Sequence, residues 1–369
     1  MKLAIRRLFV DERVKDTPLA RGIRSRLAGV PEEVVEGPGK VFAHVLSFPD
    51  PVAAAKSVLY VTRNQGRFIR PCPGTSEYTC CGYHILHVGA FCPMDCAYCV
   101  LQTYFHPPVM QLFANQDELL AELDRVLLAR DPAIRRLGTG EFTDSLVWEP
   151  LWDLTPRLVE RFGVQDHAVL ELKTKTVNIH ALKGLDHGGK TILAWSVNTP
   201  RVIREHERGV TGLSARLSAA AQCAEWGYPL AFHFDPLVPY PGCEEEYRRV
   251  VREIFARVPG EKVAWVSLGT LRYPPSLGQV IRERRPGSEL VLGEMVPGLD
   301  RKMRVFKPIR AALCREIVEE IRAAAPEVTA YFCMEDREVW ENCTGSWPGE
   351  KGLSALLDRS AMWVCGIRE

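Results

Sequence analysis

The most informative stretch of the sequence is residues 92–99, which read Cys92-Pro93-Met94-Asp95-Cys96-Ala97-Tyr98-Cys99. The cysteines have the spacing C-x3-C-x2-C, and three thiolates on one short loop can bind three irons of a cubane cluster. The fourth iron then keeps an open position, as a catalytic metal site does. A tetrahedral zinc site with His106 as fourth ligand and a set of incidental thiols are the alternatives. We predict a [4Fe-4S] cluster on Cys92, Cys96 and Cys99.

From Tyr83 onward, short apolar runs alternate with longer amphipathic stretches. The apolar runs predict strands at Tyr83–Val88, Val109–Phe113, Ile134–Leu137, Val169–Leu172, Ile192–Trp195, Leu230–Phe234 and Val263–Leu268. The amphipathic stretches predict helices at Asp117–Ala129, Leu213–Trp226 and Glu244–Ala256. This alternation is typical of βαβ units in a parallel sheet, and the number of units suits a complete or partial barrel. Val109–Phe113 fits the barrel least well, because it follows the cysteine loop so closely.

The two ends of the chain differ from the alternating region. Residues 1–75 are basic and irregular, with scattered Pro and Gly, and Ser57–Thr62 is a plausible strand there. We therefore predict an N-terminal extension at 1–75, a barrel domain at 76–290 and a C-terminal extension at 291–369. The predicted fold class is α/β, with a TIM-like barrel between the two extensions.

Composition restricts the function classes. The chain has 369 residues, 46% of them hydrophobic, and a formal net charge of +1. Such a chain does not bind nucleic acid through its overall charge, although a local basic run such as Arg301–Arg310 can contact phosphates. We find no apolar run of the roughly 20 residues that a membrane span needs and no secretory signal in Met1–Val10. We expect a cytoplasmic protein with no membrane association.

The cysteine motif is the signature of radical S-adenosylmethionine enzymes. Its surroundings resemble the spore photoproduct lyase family of DNA repair enzymes. The resemblance runs from about Tyr83 to Phe332 and is clearest at Cys96–Thr103, Thr174-Lys175, Trp195–Asn198, Gly227–Phe232 and Arg272-Tyr273. It implies a partial (β/α)6 radical SAM barrel, with the cluster and its cofactor at the C-terminal mouth.

The resemblance also implies roles for particular residues. Cys92, Cys96 and Cys99 would act catalytically by holding the cluster, and S-adenosylmethionine would chelate the fourth iron through its amino and carboxylate groups. The residues that would contact this cofactor are Tyr98, Gly140, Glu141, Lys175, Ser196 and Asn198. Tyr98 would lie against the adenine, Gly140 and Glu141 would bind the amino group, and the others would hold polar atoms. A solvated lysine and ordinary turn residues are the structural alternatives.

The implied reaction begins with an electron from a ferredoxin or flavodoxin. Reductive cleavage of S-adenosylmethionine would give methionine and a 5′-deoxyadenosyl radical, which would abstract hydrogen from a substrate at the barrel mouth. The substrate contacts that we expect are Asp144, Asp235, Arg272 and Tyr273. DNA or another nucleic acid is the partner that the resemblance implies.

Two positions depart from the family pattern. The cysteine that gives a hydrogen atom to the product radical in this family aligns with Phe142, and the tyrosine after the last cluster cysteine is Val100. A phenyl ring has no weak S–H bond to give. We therefore predict a divergent member without efficient repair of spore photoproduct. A radical enzyme acting on a small molecule or peptide is the alternative.

Six further cysteines allow a second metal site. Cys72, Cys80 and Cys81 precede the first barrel strand, and Cys333, Cys343 and Cys365 lie near the C-terminus. A metal could join these two segments. The alternative is a set of buried free thiols, because unpaired cysteine is among the most buried residue types.

Overall fold

The computed structural model describes residues 3–129, 134–349 and 352–367. The strands of these ranges are β1 (Arg7–Asp11), β2 (Glu32–Val35), β3 (Val58–Thr62), β4 (Ile69–Pro71), β5 (His84–Leu86), β6 (Gly89–Ala90), β7 (Asp95–Cys96), β8 (Met110–Phe113), β9 (Arg135–Gly138), β10 (Ala168–Thr174), β11 (Thr191–Ser196), β12 (Glu207–Arg208), β13 (Leu230–Leu237), β14 (Val263–Thr270), β15 (Arg272–Tyr273), β16 (Met295–Pro297), β17 (Met303–Val305) and β18 (Thr329–Phe332).

The helices are α1 (Pro18–Arg26), α2 (Pro38–Leu46), α3 (Pro51–Ala55), α4 (Leu101–Tyr104), α5 (Gln116–Leu128), α6 (Leu154–Gly163), α7 (Pro200–His206), α8 (Leu213–Glu225), α9 (Cys243–Phe255), α10 (Pro275–Arg284), α11 (Lys307–Ala324), α12 (Arg337–Thr344) and α13 (Gly352–Cys365). Single 3-10 turns lie at Glu12–Val14, His180–Leu182, Gly260–Lys262 and Glu289–Val291. None of the helices in the described ranges is long and apolar enough to span a membrane.

The main sheet has the strand order β18-β14-β13-β11-β10-β9-β5-β4. All neighbouring pairs from β18 to β5 are parallel, and only β4 joins the edge in antiparallel orientation. The parallel strands follow one another in chain order and are almost wholly buried, as in β14. This curled sheet with helices between its strands confirms the predicted α/β partial barrel.

Sequence periodicity found most barrel strands to within a few residues, with two exceptions. The run Val109–Phe113 does form a strand, β8, but β8 pairs with β3 and β6 in the other large sheet. The last parallel strand, β18, was not predicted. It has only four residues, and only two of them are buried. The barrel therefore has its seventh parallel strand where the sequence predicted only an extension.

The N-terminal segment is regular, contrary to the expectation of an irregular extension. Its strands form a five-stranded sheet in the order β2-β1-β3-β8-β6, with β1, β2, β3 and β8 parallel. Buried Leu8, Val10, Leu59 and Val61 give the sheet its core. Because β8 and β6 come from beyond residue 75, this sheet crosses the predicted boundary, and β6 leads directly into the cysteine loop. The three domain boundaries stay predictions.

The basic run at 301–310 does not offer a free phosphate track. Arg304 is buried and pairs with Asp300 at 2.8 Å, and Arg310 is buried and pairs with Glu335 at 3.0 Å. Lys307 forms an ion pair with Glu338 at 2.7 Å. These three cations are paired within the fold, whereas Arg301 is exposed, so most of the run is not available to phosphates.

Candidate active site

The cysteine loop lies at the C-terminal edge of the parallel sheet. β5 and β6 lead into it, and Phe91 adopts a left-handed backbone conformation with φ 64° at its start. A non-glycine residue in this region costs on the order of 1 kcal/mol, so surrounding contacts have to stabilise the turn. Cys92 and Cys96 are buried, Cys99 is half-buried, and all three thiols are free. The short strand β7 pairs with β12 and fixes Cys96 opposite Glu207.

One side chain holds several carbonyls of this loop. The Nε2 atom of Gln102 donates to the carbonyl oxygens of Cys96, Ala97 and Cys99 at 3.2, 3.1 and 3.2 Å. The same glutamine accepts a hydrogen bond from Arg284 through its side-chain oxygen. Gln102 belongs to the family-like segment that the sequence analysis quoted, yet it was not recognised there as a loop support.

An ion-pair cluster fixes the middle of the loop. Asp95 pairs with Arg284 at 3.0 Å and also contacts Arg285, and both arginines are largely buried. Although burial opposes ionisation, the hydrogen bond and charge of Arg284 hold the pKa of Asp95 below its ordinary value. The carboxylate is therefore charged at neutral pH and keeps the segment between Cys92 and Cys96 in place.

Among the described residues, the three thiols of the loop do not converge on one metal position. In the described ranges, no group of three or more His, Cys, Asp or Glu side chains surrounds one metal position. A cubane does not require such a point, because each cysteine binds a different iron at the corner of a cage. Burial raises the pKa of Cys92 to about 12, so iron binding has to displace the proton. The loop could thus hold the cluster through Cys92, Cys96 and Cys99.

The second metal site receives no support. Cys343 donates a hydrogen bond to the Ala311 carbonyl at 3.3 Å between α12 and α11, and Cys365 is buried beside Lys190. Cys333 lies instead at the end of β18, where it accepts a hydrogen bond from Arg272 at 3.4 Å. The C-terminal thiols are therefore in separate surroundings, and Cys343 and Cys365 are buried free thiols.

A buried network connects Tyr98 with the next parts of the site. The Tyr98 hydroxyl donates to Glu207, and Glu207 pairs with Arg216 at 2.6 Å. Arg216 also donates to the Ser196 carbonyl at 2.8 Å. Although burial opposes it, the charges of Lys175 and Arg216 hold the pKa of Glu207 below its ordinary value. Glu207 and Arg216 are buried residues beside the predicted cofactor contacts that the sequence did not reveal, because nothing in the sequence distinguishes them from surface charges.

Lys175 and Asp144 meet at the ends of β9 and β10. The ammonium of Lys175 lies 5.8 Å from the centre of the Tyr98 ring, and its side chain is half-buried. Asp144 accepts hydrogen bonds from the Lys175 amide at 2.8 Å, the Thr174 hydroxyl at 2.8 Å and the Leu146 amide at 3.0 Å. Asp144 thus joins two neighbouring loops and positions Lys175.

Asn198 is fully engaged inside the protein. It is buried, its amide donates to the Pro236 carbonyl at 2.8 Å, and its side-chain oxygen accepts from the Tyr247 hydroxyl at 2.7 Å. Ser196 is buried two residues before it, at the end of β11. The geometry therefore brings Ser196 and Asn198 to the same edge as the cysteine loop.

Gly140 and Glu141 lie beside the polar interior of the barrel. A Cβ atom at Gly140 would come within 2.9 Å of the Lys173 Cβ, so the close approach of this turn to β10 requires glycine there. Glu141 pairs with Lys173 at 3.7 Å. Glu171, two residues earlier on the same face of β10, contacts His233 at 2.5 Å. Lys173 and Glu171 were missed, although charged residues alternating within an apolar strand are the signal that could have found them.

Arg272 lies at the C-terminal mouth of the barrel, between Asp235 and Cys333. Its Nη1 atom pairs with Asp235 at 3.3 Å, and its Nη2 atom donates to the Cys333 sulfur at 3.4 Å. Burial raises the pKa of Cys333 to about 11, so this thiol keeps its hydrogen at neutral pH. Tyr273 points elsewhere, because it is buried in a small apolar core with Ala97 and Leu277.

Phe142 belongs to an aromatic wall of the site. Its ring centre lies 4.9 Å from His87 and 6.3 Å from Phe105, and His87 contacts Phe113 at 4.8 Å. Burial lowers the pKa of His87 to about 4, so this imidazole is neutral. Phe142, where we predict the departure from the family pattern, is therefore part of an apolar contact surface.

Comparisons with known proteins give one consistent family. Residues 59–307 match the family model described as spore photoproduct lyase. The spore photoproduct lyase of Bacillus subtilis is 30% identical over 206 residues, which are 55% of this chain and 60% of that protein. The alignment thus spans less than two thirds of that relative. The spore photoproduct lyase of Clostridium acetobutylicum is 23% identical over 303 residues, 80% of this chain and 86% of that protein.

Solved structures show the same fold. A spore photoproduct lyase complexed with dinucleoside spore photoproduct superposes with a TM-score of 0.77 at 22% identity, covering 90% of this chain and 100% of the other. A variant of spore photoproduct lyase with bound S-adenosylmethionine and dinucleoside spore photoproduct gives a TM-score of 0.76 with the same coverage. Because the family model matches more than half of the chain, this protein belongs to the spore photoproduct lyase family of the radical S-adenosylmethionine superfamily.

Proposed function

We propose that this protein is a radical S-adenosylmethionine enzyme that holds a [4Fe-4S] cluster on Cys92, Cys96 and Cys99. One observation carries this proposal: three free thiols share one loop at the C-terminal edge of a parallel barrel, next to Tyr98 and Lys175. When bound, the cluster and S-adenosylmethionine supply a 5′-deoxyadenosyl radical. The protein's own contribution is to bind and orient the reactants in a site that excludes water.

The cofactor site comprises the residues around the loop. Lys175 neutralises the carboxylate of S-adenosylmethionine, since its ammonium is free to reach the space over the Tyr98 ring. Tyr98 packs against the adenine, with its hydroxyl fixed by Glu207. Ser196, Gly140 and Glu141 contribute polar atoms. Asn198 acts through position, because its amide already bonds to Pro236 and Tyr247.

The substrate that we propose is a photoproduct of DNA. The support is family membership, together with solved relatives that bind dinucleoside spore photoproduct. Within this chain, Arg272 and Asp235 offer a cation and a carboxylate at the barrel mouth for phosphate and base contacts. Asp144 and Tyr273 act by holding loops, since both are engaged inside the protein.

Return of hydrogen to the product needs a donor other than residue 142. Cys333 is the thiol that we propose, because it lies at the end of β18, is half-buried and keeps its hydrogen at neutral pH. Its S–H bond is weak enough to give a hydrogen atom, which leaves a sulfur radical on Cys333.

A second candidate is a radical enzyme acting on a small molecule or peptide. Phe142 and Val100 favour it, because both replace residues of the family's relay and leave an apolar wall. Under this reading the fold and cofactor chemistry are retained and the substrate differs. The prediction of no efficient repair of spore photoproduct belongs to this candidate.

Anaerobic turnover tests both candidates. Reconstituted protein, dithionite and S-adenosylmethionine are incubated with dinucleoside spore photoproduct in D2O, and the products are analysed by mass spectrometry. The first candidate predicts thymine dinucleotide carrying deuterium from the exchangeable thiol, and loss of most of that deuterium in Cys333→Ala, whereas Cys343→Ala serves as control. Cofactor cleavage without dinucleotide repair supports the second candidate. Zinc without iron on the cysteine loop contradicts both.

Two parts of the proposal concern the cell. An external one-electron donor, a ferredoxin or flavodoxin, reduces the cluster, and the half-buried Cys99 is consistent with electron entry from the surface. A cytoplasmic location stays a prediction.

A further inference from the structure

Lys56 reaches the cysteine loop from outside the family-matched region. It follows α3 and precedes residues 59–307, and its Nζ atom donates to the Cys92 carbonyl at 2.8 Å and to the Met94 carbonyl at 2.6 Å. The same ammonium lies 3.7 Å from the centre of the Phe91 ring. Three contacts, at Phe91, Cys92 and Met94, thus connect one cation with the beginning of the loop, and Phe91 is the residue with the left-handed backbone.

The other end of α3 contacts the loop as well. Asp50 caps α3 by accepting from the Ala53 amide at 2.9 Å, and its carboxylate pairs with Arg284 at 2.9 Å. Arg284 in turn pairs with Asp95 at 3.0 Å. The segment from Asp50 to Lys56 therefore holds the stretch between Cys92 and Cys96 at two places, directly through Lys56 and indirectly through Arg284. This part of the N-terminal extension thus belongs to the surroundings of the proposed cluster site.

The charge of Lys56 is not cancelled by a direct partner. Its hydrogen bonds go to carbonyl oxygens, and among the described residues no carboxylate lies within ion-pairing distance of it. The neighbouring acid, Asp95, is already paired with Arg284 and Arg285. A fixed positive charge in this half-buried place acts over a short distance with little screening by water.

We propose that Lys56 is a positioning residue that both shapes the cysteine loop and raises the reduction potential of the cluster bound there. This inference rests on the proposed function, because it needs the cluster. Reduction adds one negative charge to the cluster, and a nearby cation stabilises the more negative state. Hydrogen bonds and charge around a cluster are established means of setting its potential.

The test compares charge-preserving and charge-removing variants of the full chain. Lys56→Gln keeps a hydrogen-bond donor without charge, Lys56→Met removes both, and Lys56→Arg keeps the charge. Lys40→Gln is the matched control, because Lys40 is exposed and pairs only with Glu33 on the N-terminal sheet. Each protein is reconstituted anaerobically, and we measure iron content and the reduced-to-oxidised ratio of the cluster by EPR at a fixed potential.

We expect the ratio to fall at least tenfold in Lys56→Gln and Lys56→Met, which is a shift of about 59 mV for a one-electron couple. Lys56→Arg should stay within threefold of the unmodified protein, and Lys40→Gln should not change. If the neutral variants lose iron while Lys56→Arg keeps it, the requirement for charge at this position is likewise supported.

Several results would overturn the inference. An unchanged ratio in Lys56→Gln shows that the charge does not set the potential, and an equal fall in Lys40→Gln shows a nonspecific effect. Iron loss in all three Lys56 variants, Lys56→Arg included, shows that only the native side chain's shape matters. Failure of the unmodified protein to bind iron is distinguishable from these results, because it contradicts the proposed function itself.

Discussion

The cysteine loop and the aromatic wall at Phe142 are built from opposite kinds of contact. The loop is held by polar groups, since Gln102 bonds to three of its carbonyls and Asp95 is fixed by two arginines. The wall has no such network. Phe142 contacts the rings of His87 and Phe105, and both ring nitrogens of His87 are buried without a hydrogen-bond partner.

We propose that the polar loop serves generation of the radical and that the apolar wall serves its later reaction. The polar loop contains the three predicted cluster ligands, whereas the wall contains Phe142, the position at which we predict a departure from the family pattern. A polar scaffold fixes atoms at defined distances, while an apolar wall excludes water and tolerates changes of shape. Membership in the family therefore predicts the cofactor chemistry of this chain better than it predicts the substrate.

The largest expected effect is on the polar side. Cys96→Ala removes one of the three proposed cluster ligands on a loop that has no fourth cysteine, so we expect loss of essentially all of the roughly four irons per chain. Iron and sulfide analysis after anaerobic reconstitution measures it. Cys223→Ala, at a buried helical thiol on α8, should keep its iron. Full iron content in Cys96→Ala would place the cluster elsewhere.

The buried pair next to Tyr98 should give the next largest effect. Arg216→Met leaves the Glu207 carboxylate buried without its partner, and an uncompensated buried charge costs about 3–5 kcal/mol of unfolding free energy. Chemical denaturation measures the loss. Arg201→Met, at a solvent-accessible pair with Glu205, should cost far less, because water screens the pair. Equal losses in the two variants would mean that this network does not stabilise the polar side.

Much of the fold was predictable because barrel strands have strong local signals. Leu230–Phe234 and Val263–Leu268 are apolar runs of strand length, and both were found with nearly correct bounds. The place of β8 was not predictable in this way, because a strand looks the same in either sheet and only its pairing partners distinguish them. In the N-terminal sheet, the strand predicted at Ser57–Thr62 is confirmed as β3, whereas β1 and β2 were missed because they are short and separated from it by segments rich in Pro and Gly.

The site was predictable only where residues are close in sequence. The three cysteines of the loop are such a case. Lys56 and Arg284 act on the same loop from 36 and 189 residues away, at Cys92 and Asp95. No local pattern distinguishes them from surface cations, because their contacts depend on tertiary structure. Asn198 shows the converse, since its family-like position does not reveal that its side chain is fully engaged inside the protein.

Lys175 should show a smaller effect, confined to cofactor binding. Lys175→Ala removes a cation that we propose for the carboxylate of S-adenosylmethionine, and a hydrogen bond to a charged group contributes about 2 kcal/mol. We expect binding about 30-fold weaker with unchanged iron content, measured by equilibrium dialysis of the anaerobic protein. Asn198→Ala should weaken binding as well, through altered loop position. Lys183→Ala, at an exposed lysine that follows the 3-10 turn His180–Leu182, is the control. Unchanged affinity in Lys175→Ala would remove it from the cofactor site.

The aromatic wall should give the smallest effect, and only as a pH dependence. Burial lowers the pKa of His87 to about 4, whereas an unfolded histidine titrates near 6.5. As the pH falls from about 6.5 towards 4, the unfolded chain binds a proton at this position and the folded chain does not, so stability is lost in that window.

His87→Phe cannot titrate and keeps an aromatic ring beside Phe142. Between pH 7.5 and 5.5, we expect the unfolding free energy of this variant to fall by about 1 kcal/mol less than that of the unmodified protein. His180→Gln, at an exposed histidine, should follow the unmodified protein. If His87→Phe loses as much stability as the unmodified protein does, His87 is protonated in the folded state. The wall would then hold a charge beside Phe142, and the contrast between a polar loop and an apolar wall would no longer hold.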